Sequence, residues 1–547
     1  MRSSAEFRLG RYASILALLL VPTALASQNP PQNPQIRVAT HLVQIGVIVR
    51  DSNGPVEDLT KDDFVVLDRG KPRKISVFSA ESSESAPPAQ PLPANTFSNL
   101  PQYGSNRPRS VTIILLDNLN TLSGSTPGTY ETTPFWLEDH ALAKAKQHLI
   151  EFLKKLDRDD RIAIYGLTNS LHVLCDFTCD RDHLLAVVNT YDTASRTQRE
   201  TVEPGKYYTP VPGKFNEHVD ADVQSLAALN NQARAQETMS ALMAIAAHVA
   251  DIPGRKNLLW LTANLPFSGQ AIARILGRAN IAAYPVDARG FLPRSPSVSS
   301  ETDATVRGEL GSLLELNNDA SQADQPTGID TMEKMAEDTG GRAFVNTNDL
   351  TGAIRKAVED SAVTYRVGFY IDSNSIDGKF HELKVEVKRR GVTVRYPKAY
   401  FAFEDTQSTK DENRHNLVAA VRSPIESSAI PLRVRVDRVD KPLPRCLSIF
   451  GSIDIRSLPF MQDGGARKRT IDVVTVEQDP SGKVLAQAAS TIALHFTDKQ
   501  YADYLKSGFP FHQYVQPKAN AATLRILVED PATAEVGSVI IPVAQVN

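Results

Sequence analysis

The stretch that decides the fold is SVTIILLDNLNT, residues 110–121. Its apolar run ends in Asp117, which predicts a strand buried on both faces with a carboxylate at its carboxyl end. Short polar side chains follow the aspartate, and strand ends of this kind often hold a metal ion or a phosphate. The stretch therefore predicts a buried strand of a sheet and raises the question of whether the edge of that sheet binds a ligand.

Strand-like and helix-like segments alternate from residue 110 to residue 361. Apolar runs predict further strands, and these are RIAIYGL, LHVLCDF, KNLLWLTA, IAAYPVDARG and RAFVN. Segments of helical periodicity predict helices, which lie from about Pro134, near Asp182, at about residues 233–250, and in GQAIARILGRAN, IDTMEKMAEDTGG and DLTGAIRKAVEDS. Residues 193–231 look like a long polar insertion. Repeated units of this kind build a parallel sheet covered by helices, so we predict an α/β fold.

Both flanks of this region show the alternating pattern of half-buried strands. Residues 35–80 predict a small β unit with a hairpin that turns at residues 68–71. Residues 81–109 are rich in serine, proline and asparagine, which predicts a linker or a mobile loop. Three strand-like runs occupy residues 362–404.

The last part of the chain is also rich in strand patterns. A polar break covers about residues 404–416. Residues 415–547 then contain a series of strand-like runs with little helical periodicity, which predicts a C-terminal β-sandwich.

Length and charge limit the class of protein. A chain of 547 residues is too long for one hydrophobic core, so two to four domains are expected. The formal net charge is −3, and no block of like charge indicates a nucleic-acid partner or binding to an anionic membrane surface.

The N-terminus predicts export. Residues 1–26 combine arginines, an apolar run and a small-residue ALA ending, which is the pattern of a cleaved signal peptide. The alternative is a membrane anchor, but the run contains Pro22 and is shorter than the ~20 residues that span a bilayer. We expect a periplasmic or extracellular protein with no membrane span after cleavage.

Three cysteines, Cys175, Cys179 and Cys446, allow one disulfide, but their spacing does not choose the pair. A metal site built on them is not expected, because no second Cys or His pair lies at ligand spacing. The histidines of the first half of the α/β region are predicted to be solvated or capping, and these are His140, His148, His172 and His183.

Common catalytic patterns are missing from the sequence. The chain has no G-x-S-x-G nucleophile elbow, no phosphate-binding G-x-x-x-x-G-K-[ST] loop and no H-E-x-x-H zinc motif. We therefore predict that the protein is not an enzyme.

Several motifs together resemble a known family. They are LVQIGVIVRDSNGPVEDLTKDDFVVLDRGKPRKISVF, ILLDNLNT, FLKKLDRDDRIAIYGLTNSLHVLCDFTCD, GRKNLLWLT, ANIAAYPVDARG and MAEDTGGRAF. In this order they resemble secreted VWFA-related proteins, best known from Acidobacteria. The resemblance implies a Rossmann-like von Willebrand factor type A domain at residues 110–361. It also suggests that this domain is inserted in a β-sandwich formed by residues 35–80 and 362–404, with residues 415–547 as a second sandwich.

Type A domains often carry a metal-ion-dependent adhesion site, and the resemblance implies where it would lie. The matching positions are Asp117 for the first aspartate, Leu119 and Thr121 for the two serines, Thr178 for the loop threonine and Ala263 for the last aspartate. Asn120 offers an amide oxygen, but it lies one position away from the motif positions occupied by Leu119 and Thr121. Losing a carboxylate and a hydroxyl weakens a site for Mg²⁺ or another divalent cation, so we expect a degenerate site. In the alternative interpretation, Asp117 accepts hydrogen bonds from nearby loop N–H groups.

Two hypotheses for function follow. The first is an exported protein-binding or adhesion module with a degenerate metal site, no cofactor, and loops at the carboxyl edge of the sheet facing an unidentified protein partner. Asp287 and Arg289, after a predicted strand, are further candidates at that edge, with a salt bridge as the alternative. The second hypothesis is a metal-independent structural or assembly component of the cell envelope. A cryptic hydrolase is a distant third.

Overall fold

A computed structural model describes most of the chain after residue 39. The described residues are 40–82, 92–100, 111–121, 141–155, 162–177, 179–191, 216–252, 255–263, 265, 269–290, 328–360, 363–372, 375–402, 410–441, 444–463 and 465–546. The predicted signal peptide, His140 and Thr178 lie outside them.

Within the part of the chain that the structure describes, the strands belong to five sheets. The first fifteen are β1 (Thr40–Asp51), β2 (Gly54–Pro55), β3 (Phe64–Asp68), β4 (Lys71–Arg73), β5 (Ile75–Ser82), β6 (Thr96–Ser98), β7 (Val111–Asp117), β8 (Ile162–Leu167), β9 (Leu171–Cys175), β10 (Lys256–Thr262), β11 (Ile281–Asp287), β12 (Val363–Asp372), β13 (Phe380–Val387), β14 (Thr393–Arg395) and β15 (Ala399–Phe401). The rest are β16 (Leu432–Val439), β17 (Cys446–Ile453), β18 (Met461–Asp463), β19 (Ala466–Gln478), β20 (Val484–Thr497), β21 (Phe509–Val515), β22 (Thr523–Asp530) and β23 (Glu535–Pro542).

The helices lie mostly in the middle of the chain. They are α1 (Asn118–Thr121), α2 (Ala141–Leu153), α3 (Arg181–Thr190), α4 (Asn216–His248), α5 (Gly269–Arg278), α6 (Gly328–Thr339), α7 (Leu350–Glu359), α8 (Lys410–Arg422) and α9 (Asp498–Ser507). No helix in the described ranges is long and apolar enough to cross a membrane.

The central sheet has the order β11-β10-β7-β8-β9. Neighbouring strands are parallel except for β9, which runs antiparallel to β8 at the edge. Every residue of β7, β10 and β11 is buried, because helices cover both faces of the sheet. Helices α4, α5 and α6 pack on one face and α2, α3 and α7 on the other. The prediction of a mixed α/β fold is confirmed at this level.

Two antiparallel sheets enclose a separate core made of early and late segments. One sheet has the order β14-β1-β12-β5 and the other β15-β13-β3-β4. In the first, β1 pairs with β12 from Thr40↔Asp372 to Val47↔Tyr365. The core includes Val47, Phe64 and Tyr365, whose burial on facing sheets holds the two segments together.

A second pair of sheets lies at the C-terminus. One has the order β21-β17-β16-β6, and the other is built on β18-β19-β22-β23 with β20 added to β19. Strand β6 lies inside residues 81–109, so the prediction that this whole segment is a linker was wrong. It pairs with β16 through Ser98↔Arg433. A three-residue strand between serine- and proline-rich stretches is too short to give a period-2 signal.

Helix is also present where the sequence did not predict it. Helix α4 begins at Asn216, within the predicted insertion at residues 193–231, because residues 214–252 contain no glycine or proline to stop it. Helix α8 occupies much of the predicted polar break, and α9 lies within the C-terminal sandwich region. The first half of α8 is charged, but Leu417 and Ala420 in its second half pack against the sheet that contains β22.

The predicted strand RAFVN is reduced to one parallel bridge between Val286 and Phe344. Phe344 donates its N–H to Pro285 O, and Asp287 donates its N–H to Phe344 O. The chain therefore touches the edge of the central sheet at β11 without forming a strand there.

A buried ion-pair cluster connects the central sheet region to the first sandwich. Asp360, directly after α7, accepts hydrogen bonds from Arg395 of β14 and Arg50 of β1. Nearby, the buried Arg255 donates to Gly340 O. Because Asp360 is only 2% exposed, these contacts tie the two parts of the molecule together at a site largely closed to water.

Candidate functional site

Asp117 lies at the carboxyl end of β7, with its carboxylate pointing into the molecule. Asn120 donates its backbone N–H to Oδ1 and its side-chain Nδ2 to Oδ2, both at 2.9 Å. Trp260 of β10 donates Nε1–H to Oδ2, also at 2.9 Å. The side chain is fully buried, so both oxygens are used within the fold.

Burial controls the electrostatics of this carboxyl group. Burial raises the pKa of Asp117, and the hydrogen bonds from Asn120, Trp260 and Thr262 oppose that rise without cancelling it. A group with this balance binds a proton more readily than a solvated aspartate does. It is therefore a poor anchor for a cation that must compete with protons and N–H donors.

The other residues of the predicted metal site also have internal partners. Asn120 Nδ2 donates to Thr238 Oγ1 of α4 at 2.9 Å. The amide nitrogen of Asn120 therefore faces the oxygens of Asp117 and Thr238. Thr121 Oγ1 accepts the N–H of Ala263 at 3.2 Å. Thr178 lies outside the described residues. The structure thus brings Asp117, Asn120 and Thr121 together as a hydrogen-bonded turn.

Asp287 and Arg289 form a local ion pair at the end of β11. Arg289 donates Nε to Oδ1 at 2.9 Å and Nη2 to Oδ2 at 3.0 Å, and its backbone N–H also bonds Oδ1. Asp287 is 1% exposed. The register pairs Thr262 with Asp287, and Leu261 with Leu116, so Thr262 lies between the strand ends that carry Asp117 and Asp287.

The carboxylates at this edge of the sheet are hydrogen-bonded to neighbouring groups of the protein. Each aspartate has donors on both oxygens, supplied by Asn120 and Trp260 in one case and by Arg289 in the other. Such an arrangement can hold loops in fixed positions, because buried polar groups are costly to leave without partners. A cation at Asp117 would first have to displace those donors.

A second polar cluster joins the central sheet region to the C-terminal sandwich. His248, at the end of α4, has Nδ1 at 2.7 Å from Glu426 O and Nε2 at 3.2 Å from Asp176 Oδ2. Tyr165 also donates to Asp176. Glu426 accepts the N–H of Ile540 in β23. Sequence spacing gave no sign of this cluster, because its members come from distant segments.

The charges in this cluster support one another. Burial lowers the pKa of His248, but Asp176 and Glu426 together outweigh burial and leave the pKa above its usual value. Burial raises the pKa of Asp176, but His248 and the hydrogen bonds from Phe177 and Tyr165 together outweigh burial and leave the pKa below its usual value. Burial raises the pKa of Glu426 to about 7. The cluster therefore links the two regions through contacts to both ring nitrogens of His248.

Cys175 and Cys179 form a disulfide, and Cys446 is a buried free thiol. His183 lies beside this disulfide, with a ring nitrogen and both sulfurs within 4.8 Å of one another. A metal site built on these cysteines was not expected from the sequence. The C-x₃-C-x₃-H spacing of Cys175, Cys179 and His183 is the sequence feature that indicates this group of possible ligands.

Comparison with known proteins gives no family. No family model matches the chain, and no curated protein matches it. Solved structures with similarity include an aerotolerance-related membrane protein from Bacteroides fragilis, at 13% identity, 46% of this chain, 98% of that chain and a TM-score of 0.25. BatB from Bacteroides thetaiotaomicron gives the same values. A von Willebrand factor type A protein from Catenulispora acidiphila has 10% identity, covers 66% of this chain and 82% of its own, and has a TM-score of 0.24.

These similarities are weak, and they identify neither a family nor an activity. The resemblance to secreted proteins of Acidobacteria and the division into an inserted type A domain with two sandwiches both stay predictions.

Proposed function

We propose that this chain is an exported protein-binding or adhesion module that works without a resident metal ion or catalysis. Its predicted type A-like domain, residues 110–361, would face a protein partner with the carboxyl edge of the central sheet. The observation that carries the proposal is that the carboxylate of Asp117 is hydrogen-bonded within the fold. Its two oxygens accept hydrogen bonds from Asn120 and Trp260, where a working adhesion site would offer them to a cation.

The same edge has the features of a rigid platform. Asp117 and Asp287 are buried and held by donors at the ends of β7 and β11. Beyond these elements the chain continues into residues 122–140 and 291–327, which lie outside the described residues. Binding proteins usually carry their recognition residues on loops that a rigid scaffold holds in position.

The compensated charges at this edge also support binding over catalysis. General acids and bases need a titrating group within reach of a substrate. Here the carboxylate of Asp287 is paired with Arg289 and that of Asp117 is enclosed by donors. We propose that these groups position loops and take no part in a reaction.

Calorimetry tests the metal-free part of the proposal. The mature chain from residue 27 is titrated with Mg²⁺, Mn²⁺ and Ca²⁺ up to millimolar concentration, and no binding heat is expected. Capture of envelope proteins on the immobilised chain should give the same partner with and without EDTA. Binding heat that disappears in Asp117→Ala, but persists in a control Asp62→Ala in the exposed turn before β3, would overturn it.

A second candidate is a structural component of the envelope that makes contact through its sandwich surfaces. One observation favours it. Phe450 of β17 is 54% exposed and stacks on His512 of β21 at a ring-centroid distance of 3.9 Å. Tyr514, 50% exposed, makes an edge-on contact with the same histidine, with ring centroids 4.5 Å apart. Exposed aromatic side chains in a row are common at protein contacts.

The two candidates differ in which surface carries binding. Loss of partner capture in Phe450→Ser/Tyr514→Ser, with normal capture in Val484→Ser, would place the contact on the C-terminal sandwich. Val484 is a matched control, because it is 42% exposed and lies on a strand of the opposite sheet. Unchanged capture in the double variant would favour the carboxyl edge of the central sheet.

A further inference from the structure

Three potential metal ligands meet at the edge of the central sheet. Cys175 ends β9 and is buried, Cys179 comes just before α3, and His183 lies in the first turn of that helix. One ligand atom from each lies within 4.8 Å of the other two. We propose that the reduced form of the protein binds a thiophilic cation of the Zn²⁺ class at Cys175, Cys179 and His183. The inference does not depend on the proposed function.

The backbone already has the spacing that such a site needs. The Cα atoms of Cys175 and Cys179 are 6.2 Å apart, and their sulfurs are joined in the oxidised form. Two thiolates bound tetrahedrally at about 2.3 Å from zinc have sulfurs about 3.8 Å apart. Rotation of the two cysteine side chains is therefore enough to change from the disulfide to the metal-bound form.

His183 is oriented towards the cysteines by its position in the helix. Side chains in a helix tilt towards its N-terminus, and His183 is the third residue of α3. Its backbone N–H is used by Asp180 Oδ1 at 2.8 Å. Its imidazole has no hydrogen-bond partner among the residues that the structure describes, so a ring nitrogen is available as a third ligand.

The chemistry of the three ligands indicates the class of cation. Two thiolates and an imidazole suit Zn²⁺ or Cu⁺ better than Mg²⁺ or Ca²⁺, which prefer oxygen ligands. Three protein ligands leave a fourth position for water or an external ligand.

The disulfide and the metal exclude each other. A dithiol reductant attacks one sulfur of the Cys175–Cys179 bond, leaves as its own disulfide and delivers two protons and two electrons, so that both cysteines become thiols. Zn²⁺ then replaces the two thiol protons, which pass to solvent. An external disulfide reverses this: it takes up the two electrons and leaves as two thiolates, while the Cys175–Cys179 bond re-forms and the ion is released. The site is therefore open only in the reduced state.

Zinc competition measures this directly. The full mature chain is reduced, freed of reductant under nitrogen and titrated with Zn²⁺ against a chromophoric chelator. We expect one zinc per chain in the reduced protein and none in the oxidised protein. Cys179→Ser should abolish competition, and His183→Asn should weaken it at least tenfold, about the smallest loss seen even for outer-shell partners. Co²⁺ should give a thiolate charge-transfer band in the wild type and lose it in Cys179→Ser.

Two controls separate the site from the rest of the chain. Cys446→Ser removes the buried free thiol, and His172→Asn removes an exposed histidine of β9, and both should keep one zinc. His183→Asn changes an exposed helix position, so it tests the site even if a cysteine variant folds poorly. Zinc binding to the oxidised protein, no binding to the reduced protein, or unchanged affinity in His183→Asn would overturn the proposal.

Discussion

Trp260 donates its indole N–H to Asp117 Oδ2 at 2.9 Å, and this bond joins the ends of two neighbouring parallel strands. The tryptophan is fully buried and reaches the carboxylate from inside the sheet. An aspartate that looks like a metal ligand in the sequence thus works as a hydrogen-bond acceptor in the core. Stability, more than metal affinity, should respond when this pair is changed.

Trp260→Phe tests that pair. The phenyl ring keeps most of the packing but removes the N–H donor, which leaves a buried carboxyl group with one partner fewer. We expect a loss of about 1.5 to 3 kcal/mol in the free energy of unfolding, measured by urea denaturation. Adding Asp117→Asn to Trp260→Phe should cost less than the two single changes summed, since they share one interaction. A fully additive result would contradict the coupling.

The free energy of unfolding should fall as pH rises from about 5 to about 8. Burial raises the pKa of Glu426 from 4.5 to about 7, so the folded state holds this proton more tightly than the unfolded state. Stabilisation is therefore complete below pH 4.5 and is lost as the pH rises through about 7, by up to about 3 kcal/mol. His248 has a raised pKa and acts in the same direction, whereas the lowered pKa of Asp176 matters only at more acidic pH.

Glu426→Gln identifies the source of that slope. The glutamine can still accept the N–H of Ile540 but cannot ionise beside His248, Asp176 and Arg525. Unfolding curves at several pH values should show a flatter dependence in the variant. An identical slope in the variant and the wild type would assign the effect to other groups.

Asp360→Asn should destabilise the protein by about 3 to 5 kcal/mol, because it leaves Arg50 and Arg395 without their buried carboxylate. The matched control is Asp58→Asn, which breaks an ion pair of the same type with Arg389. Both partners of that pair are well exposed to solvent, so we expect a much smaller loss of stability than for Asp360→Asn. Equal losses in thermal or urea unfolding would show that burial does not set the strength of the Asp360 cluster.

Asn99→Ala should detach the segment that carries β6. Its side chain donates to Ser427 O at 2.7 Å and Ile430 O at 2.8 Å, and accepts the N–H of Leu432 at 2.7 Å. Three buried hydrogen bonds lost together should cost about 2 to 4 kcal/mol. Thr96→Ala, which removes only an exposed local hydrogen bond, should change little. Protease cleavage within residues 92–100 is a second measurement, expected to speed up only in Asn99→Ala.

Much of the central sheet was predictable because its strands are continuous apolar runs. The runs that end at Asp117 and Asp287 gave strands with bounds close to the predicted ones. Asp117 and Asp287 were also placed at the correct edge. Their partners were harder to predict, since the contact of Trp260 with Asp117 depends on which strands are neighbours.

The failures have a common physical cause. Strand β6 and helix α8 are stabilised by long-range contacts, through Asn99 in one case and Ala420 in the other, and their local sequences are polar. The cluster of Asp176, His248 and Glu426 is brought together from segments that lie far apart in the sequence. A local pattern cannot show an interaction that depends on tertiary structure.

Ser98 and Leu432 are hydrogen-bonded although they lie 334 positions apart in the chain. Strand β1 pairs with β12 over a similar separation. A ribosome that has made the first quarter of the polypeptide has thus produced strands whose partners do not yet exist. Neither sandwich can close until late in synthesis, and such delayed pairing makes folding slow. If the chain is exported, as we propose, this delay is useful, since a chain that has not folded can still pass through a translocation channel.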